Sequence, residues 1–72
     1  MKVDYSILRV RILGWYGTYK KFATVLGISC STLRRYLQCE RPIPIMVIYR
    51  MVELLEIPDL EVVRYFFMRA TT

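Results

Sequence analysis

The segment from Tyr19 to Gln38, YKKFATVLGISCSTLRRYLQ, constrains the fold of this 72-residue chain more than any other. Its apolar residues follow helical spacing in two short runs with only a few residues between them. Ala23 is small where the second helix would cross the first. Gly27 stands where the first helix should end, a place that commonly needs a positive φ, and Ser29 can accept a backbone N–H to start the next helix. The segment therefore predicts a helix-turn-helix unit.

Helical spacing and capping signals also divide the rest of the chain. Asp4 and Thr18 are suited to start helices, and Gly17 to end one. Pro42 and Pro44 exclude a helix centre in the segment 40–44, and Pro44 can open the helix that follows. No stretch alternates with period two for long enough to indicate a strand. We predict one all-α domain, a compact five-helix bundle with helices at about residues 4–16, 19–26, 30–38, 44–56 and 59–70.

Positive charge is concentrated in the part of the chain that contains the helix-turn-helix unit. The formal net charge is +5. Residues 1–50 carry nine basic and two acidic side chains, or +7, whereas residues 51–72 carry two basic and four acidic side chains, or −2. Solubility alone does not require this asymmetry, so it favours a polyanionic partner.

The residue types present argue against several classes of function. There is no His, and Cys30 and Cys39 alone cannot form a zinc site. These two lie about 13 Å apart on one predicted helix and are expected to be free thiols. Without a nucleophile beside a base or a Gly-rich phosphate loop, we expect no enzymatic activity, cofactor, metal or small-molecule ligand. The apolar runs are too short to span a membrane and no signal peptide is apparent, so we expect a cytoplasmic protein with no membrane partner.

The sequence KKFATVLGISCSTLRRYL, followed by ERPIP and an apolar helix, is similar to the motif of the lambda-repressor and Cro-like helix-turn-helix family. The resemblance covers Leu8 to Leu55, and the fifth helix agrees in position. The sequence departs from the family at Tyr19, where many members have Gln, and at Cys39 and Glu40, where many have a Gly. Its fifth helix is also unusually aromatic. The resemblance implies that the third helix enters the major groove of double-stranded DNA.

The outward face of the third helix is the predicted base-reading surface. Leu33, Tyr36 and Leu37 should turn into the core. The resemblance implies that the residues opening this helix and those on its outer face meet base edges: Cys30, Ser31, Arg34, Arg35 and Gln38. Arg34 or Arg35 can contact guanine O6 and N7 with two hydrogen bonds, and Gln38 can read an adenine edge. The competing interpretation is a solvated helix face.

Basic residues in the first turn of the second helix predict a phosphate site. Lys20 and Lys21 oppose the helix macrodipole at a cost of a few tenths of a kcal/mol, which makes sense if a phosphate binds there. The hydroxyl groups of Thr18 and Tyr19 can join this site, and Arg41 in the proline loop is a second phosphate-binding candidate. The competing interpretation is that the lysines are incidental surface charges.

The fifth helix predicts an interface for a second copy of the chain. Leu60, Val63 and Phe67 lie on one stripe and can close the core. The remaining face then points elsewhere and predicts a homodimer interface: Val62, Tyr65, Phe66 and Arg69. A symmetric dimer would place two recognition helices about 34 Å apart, as successive major grooves require. In the alternative, the domain is a monomer and these aromatic side chains wrap the first helix.

These features together predict a sequence-specific DNA-binding transcriptional regulator, a repressor that binds a palindromic operator as a dimer. One alternative is a protein-interaction module, such as an antitoxin whose fifth helix binds a partner. Another is a partition or architectural protein that binds DNA without regulating transcription. The same groove-docking physics serves a repressor and a partition protein, so the sequence does not separate them.

Overall fold

The computed structural model describes residues 3–69 and confirms the predicted all-α class. Within these residues the α-helices are α1 (Ser6–Tyr16), α2 (Tyr19–Leu26), α3 (Cys30–Leu37), α4 (Ile45–Leu54) and α5 (Val62–Phe66). The central helix α2 packs against α1, α3 and α4, and α1 packs against α5. None of the described helices has the length and apolar character that a membrane span requires.

A single hydrophobic core joins the helices. Phe22 on α2 is completely buried, and its ring centroid lies 4.9 Å from that of Tyr16 on α1. The predicted inward residues of α2 and α3 are all buried: Phe22, Ala23, Leu26, Leu33, Tyr36 and Leu37. The apolar stripes of the helix-turn-helix unit therefore pack as the sequence predicts, and they leave the opposite face of α3 toward solvent.

Side-chain caps begin α2 and α3 where the sequence predicts them. The Thr18 hydroxyl accepts a hydrogen bond from the Lys21 N–H at 3.2 Å, and the Ser29 hydroxyl accepts one from the Thr32 N–H at 3.1 Å. Each cap satisfies an amide that the first helical turn leaves without a partner. Both ends of the tight turn are thus fixed by local interactions.

The start of α1 differs from the prediction, because the helix begins at Ser6 and not near Asp4. The Asp4 N–H donates to the Met68 carbonyl at 2.7 Å, which holds residue 4 in an extended segment beside the C-terminal part of the chain. The Asp4 carboxylate still accepts hydrogen bonds from the hydroxyl and the N–H of Ser6. These two hydrogen bonds lower the pKa of Asp4.

Three helices end in a Schellman motif, in which a residue just past the helix adopts the left-handed conformation. The left-handed residues are Gly27 (φ 88°), Cys39 (φ 61°) and Glu56 (φ 50°). The amide after each bonds a carbonyl five positions earlier: Ile28 to Ala23 at 3.0 Å, Glu40 to Arg35 at 2.9 Å, and Ile57 to Val52 at 3.1 Å. The loop after α3 therefore makes the turn that a Gly commonly makes, with Cys39 in its place. The helical part of α4 ends at Leu54, before the predicted end at Glu56, because Glu56 leaves the helical conformation.

We expect Glu56→Gly to raise the free energy of unfolding by about 0.5–1 kcal/mol. A side chain in the left-handed region costs about 1–2 kcal/mol, and the greater backbone entropy of an unfolded Gly offsets part of the gain. Glu56 is exposed, so little packing is lost. The midpoint of thermal unfolding should rise by a few degrees. Glu53→Gly, the same change inside α4, should instead lower stability by about 1 kcal/mol. Equal effects at both positions would contradict this account.

The fifth helix is shorter than predicted. The chain enters it through a 3₁₀ turn at Asp59–Glu61, and its α-helical part ends at Phe66. Phe67 forms a turn after it, and Arg69 forms an isolated antiparallel bridge with Val3. This pairing with the N-terminal segment replaces the predicted last turn of the helix. The predicted end near residue 70 lies outside the described residues.

The buried face of this segment is opposite to the predicted one. Tyr65 and Phe66 are 6% and 1% exposed, whereas Val63 and Phe67 are 60% and 52% exposed and Leu60 is 96% exposed. A 3₁₀ turn has fewer residues per turn than an α-helix, so a helical phase counted through Leu60 is shifted. The predicted dimer interface is therefore wrong: Tyr65 and Phe66 belong to the core and Val62 is half-buried against it, while Arg69 is exposed but lies beyond the helix.

Candidate nucleic-acid interface

The outward face of α3 is polar and exposed. Ser31, Arg34, Arg35 and Gln38 are all exposed, on the side opposite the buried stripe of this helix. The Ser29 cap fixes the first turn of α3, and the left-handed Cys39 fixes its last. A rigid helix thus presents these four side chains together, as the sequence predicts.

Cys30 is placed differently from the other predicted base-reading residues. It is half-buried and packs against the core. Its position, three residues before Leu33 and seven before Leu37, continues the buried stripe of α3. Cys30 therefore lies at the border between the buried stripe and the exposed face, and its assignment as a base-reading residue stays a prediction. Both Cys30 and Cys39 are free cysteines, as predicted.

The N-terminal turn of α2 carries a basic surface of its own. Thr18, Lys20 and Lys21 line a shallow groove on the outside of the helix, together with Tyr16, Thr24 and Val25. Both lysines are exposed. The Lys21 N–H is occupied by the Thr18 hydroxyl oxygen, but the Thr18 hydroxyl can still donate its own hydrogen. These groups can bind an anion at the positive end of the helix.

Tyr19 lies apart from the two lysines and faces α3. It lines a cleft of about 250 Å³ with Arg34, Leu37, Gln38 and Arg9 of α1. The structure therefore divides the predicted phosphate-binding residues between two surfaces. Arg41 is exposed in the loop after α3 and lines neither of them.

Two arginines of α1 bind backbone carbonyls at the C-terminal ends of other helices. The Arg9 Nη2 donates to the Leu37 carbonyl of α3 at 2.6 Å. The Arg11 Nε and Nη2 donate to the Leu55 carbonyl after α4 at 3.0 and 2.8 Å, and Nη2 also reaches the Glu56 carbonyl at 3.1 Å. A cation at a helix C-terminus complements the macrodipole and satisfies carbonyls that the helix leaves without partners.

This use of arginine changes the interpretation of the charge asymmetry. The Arg11 guanidinium also lies over the Trp15 ring, 4.6 Å from its centroid. This cation–π contact adds to the hydrogen bonds that hold the guanidinium at the end of α4. The positive charge of Arg11 therefore stabilises the fold and is not free for a partner. The helix-turn-helix unit and the loop after it carry the exposed basic side chains Lys20, Lys21, Arg34, Arg35 and Arg41.

Arg9 was not predicted as a site residue. Its neighbours on α1, Leu8 and Val10, are buried and exposed respectively, so the local sequence pattern does not indicate that Arg9 belongs to a site. Its position near α3 depends on how α1 packs across the bundle, and a single sequence does not give that contact.

Comparison with known sequences agrees with the extent of the domain. A search of curated proteins finds no matching sequence. A family model described as "Protein of unknown function (DUF739)" matches residues 1–69, which include every helix described above. The chain therefore belongs to the DUF739 family.

Proposed function

We propose that this protein binds double-stranded DNA in a sequence-specific manner through α3 and acts as a transcriptional regulator, a repressor in the simplest case. The observation that carries the proposal is the exposed polar face of α3, which is held at both ends and lies next to the capped, basic N-terminus of α2. A helix with this support can enter the major groove while the body of the domain stays outside. The resemblance to the lambda-repressor and Cro-like family supports the same function.

The proposed roles divide the exposed residues by chemistry. Ser31, Arg35 and Gln38 lie centrally on the outward face of α3 and are suited to read base edges. Lys20 and Lys21, with the Thr18 hydroxyl, are suited to hold a backbone phosphate, and Arg41 is suited to hold another. Phosphate contacts would fix the register of α3 in the groove, and the base contacts would supply the sequence preference.

The proposal is tested by selecting bound duplexes from a random pool at two salt concentrations. Enrichment of a defined sequence that persists at the higher salt would support base reading. A two-fold symmetric sequence would also support a dimer. If no sequence is enriched at either salt concentration, the proposed function is wrong.

Within the selected site, Arg35→Ala and Lys21→Ala are expected to have different effects. Loss of a guanidinium that reads a guanine should cost about 1–3 kcal/mol at one base pair and relax the preference there. Loss of a phosphate contact should weaken binding to all duplexes alike. Competition with single-base variants of the site measures both effects. If Arg35→Ala kept the full base preference, Arg35 would not be a base-reading residue.

A homodimer is also part of the proposal, but its interface is formed by other residues than those predicted from the sequence. Leu60, Val63 and Phe67 form the outward apolar face of the C-terminal segment. We propose that a second copy of the chain covers this face. The same exposed face favours a second candidate function, a module that binds another protein. Failure of the duplex selection, together with a stable complex of the purified chain with a partner protein, would favour this second function.

A further inference from the structure

We infer that α1, α2 and α3 together form a seat for a phosphate group between Arg9, Tyr19 and Arg34. This inference rests on the proposed function and deepens it, because it gives α1 a role in DNA binding and moves Arg34 from base reading to phosphate binding. The ligand is a phosphate or phosphodiester anion. The DNA backbone is its expected source, and free inorganic phosphate is the other source of the same chemistry.

The first argument is the composition of the cleft. Its lining includes two guanidinium groups, a phenol and the Gln38 amide, and these come from three different helices. No carboxylate side chain is among the lining residues. Two arginines that share a cleft repel each other, and an anion between them removes that repulsion and accepts hydrogen bonds from both.

The second argument is the fixed position of Arg9. Its Nη2 donates to the Leu37 carbonyl at 2.6 Å, which ties the guanidinium to the last turn of α3. The other N–H groups of the guanidinium remain available to a second acceptor. A donor that is already held in place loses less side-chain entropy when an anion binds. The nearby carboxylate of Asp4 mainly accepts hydrogen bonds from Ser6, which lower its pKa, and the charge of Arg9 adds a smaller lowering of this pKa.

The third argument separates Arg34 from Arg35. Arg34 lines the cleft together with Leu37, three residues further along the same side of α3, so it lies at the edge of the exposed face toward α1 and the start of α2. Arg35 does not line this cleft. Tyr19 is half-buried and packs against the core, which fixes its ring at the border of the cleft. Adjacent arginines therefore have different surroundings and different roles.

The test compares two arginines of α1 that both bind a helix C-terminus. Arg9→Gln and Arg11→Gln each remove one positive charge and hydrogen bonds to the end of a helix. Only Arg9 lines the cleft. Duplex affinity is measured by fluorescence anisotropy as a function of NaCl concentration. The slope of log K against log[salt] should become less steep by about 0.9 per bound protomer for Arg9→Gln and stay at the wild-type value for Arg11→Gln.

For each bound protomer, the affinity of the wild type should fall about 3.5-fold more than that of Arg9→Gln between 50 and 200 mM salt, which corresponds to one phosphate contact. A purely structural role of Arg9 would change the affinity but not this slope. Arg34→Gln, which alters an exposed side chain, should show the same change in slope with an unchanged base preference. If Arg9→Gln does not fold, the slope measured for Arg34→Gln still tests the phosphate seat.

The outcomes separate this inference from the proposed function. If the wild type binds its selected duplex and neither Arg9→Gln nor Arg34→Gln changes the slope, the phosphate seat is wrong and the proposed function stands. If the wild type binds no duplex, NMR titration with inorganic phosphate decides. Saturable shifts of the Tyr19 and Arg34 amides that disappear in Arg34→Gln would support a seat for free phosphate, and the absence of such shifts would overturn the seat as well.

Discussion

At protein concentrations low enough to keep the chain monomeric, Phe66→Ala is expected to lower the free energy of unfolding by about 3–5 kcal/mol, whereas Phe67→Ala should change it by about 0.5 kcal/mol or less. The two residues are neighbours with the same side chain, but Phe66 is 1% exposed and Phe67 is 52% exposed. Removing the buried ring leaves a cavity in the core, while removing the exposed ring leaves none. The pair therefore isolates the effect of burial from that of residue type.

Urea unfolding monitored by circular dichroism measures this difference. Small domains have about 0.05–0.15 kcal/mol of stability per residue, or about 4–11 kcal/mol for 72 residues, so the loss at Phe66 is a large fraction of the total. The midpoint of thermal unfolding of Phe66→Ala should therefore fall near or below 37 °C. If Phe67→Ala were the more destabilising change, the buried face of the C-terminal segment would be the one first predicted from the sequence. Equal losses would contradict the structure at this segment.

The second large effect is expected in the salt dependence of DNA binding. Lys20 and Lys21 would share the first phosphate site, while Arg41 and the cleft of Arg9 and Arg34 would provide further contacts. These sites amount to about three neutralised phosphates per protomer, so the slope of log K against log[salt] is about −2.7. Affinity should then fall about 40-fold between 50 and 200 mM salt for a monomer and about 2 × 10³-fold for a dimer. The measured slope thus also reports the number of bound protomers.

The double variant Lys20→Gln/Lys21→Gln, which removes their shared phosphate site, should make this slope less steep by about 0.9 per protomer. Arg64→Gln is the control, because it removes a positive charge from α5, where Arg64 lies 3.8 Å from Glu61 in an exposed ion pair. A change in slope of the same size for the control would mean that net charge, and not the surface at the start of α2, governs binding. An unchanged slope in the double variant would exclude the two lysines from the phosphate contacts.

The helix-turn-helix unit could be predicted from the sequence because its signals are local. Thr18 and Ser29 cap helices within three residues of themselves, and Gly27 supplies the left-handed conformation at the turn. The buried stripes of α2 and α3 follow from helical spacing alone. For the same reason, the exposed residues of α3 were identified correctly except for Cys30, which lies at the edge of the buried stripe.

The C-terminal segment and the cleft depend on contacts between distant parts of the chain. The phase of α5 is set by the 3₁₀ turn before it and by the pairing of the segment after it with residues 3 and 4. The cleft needs Arg9 to meet the end of α3, 28 positions further along the chain. Neither contact has a local pattern, so neither could be predicted from spacing or capping.

The bridge between Val3 and Arg69 has a consequence for how the chain is connected in space. It brings together two segments that are separated by nearly the whole described sequence, and the Asp4–Met68 hydrogen bond extends the same pairing. Closing so long a loop carries the largest entropy cost of any contact in the fold, so this pairing should form late and open early. Because residues 3 and 69, the limits of the described structure, are paired, a chain in which a short linker joins these two segments and new ends lie in the loop between α3 and α4 should keep the same core.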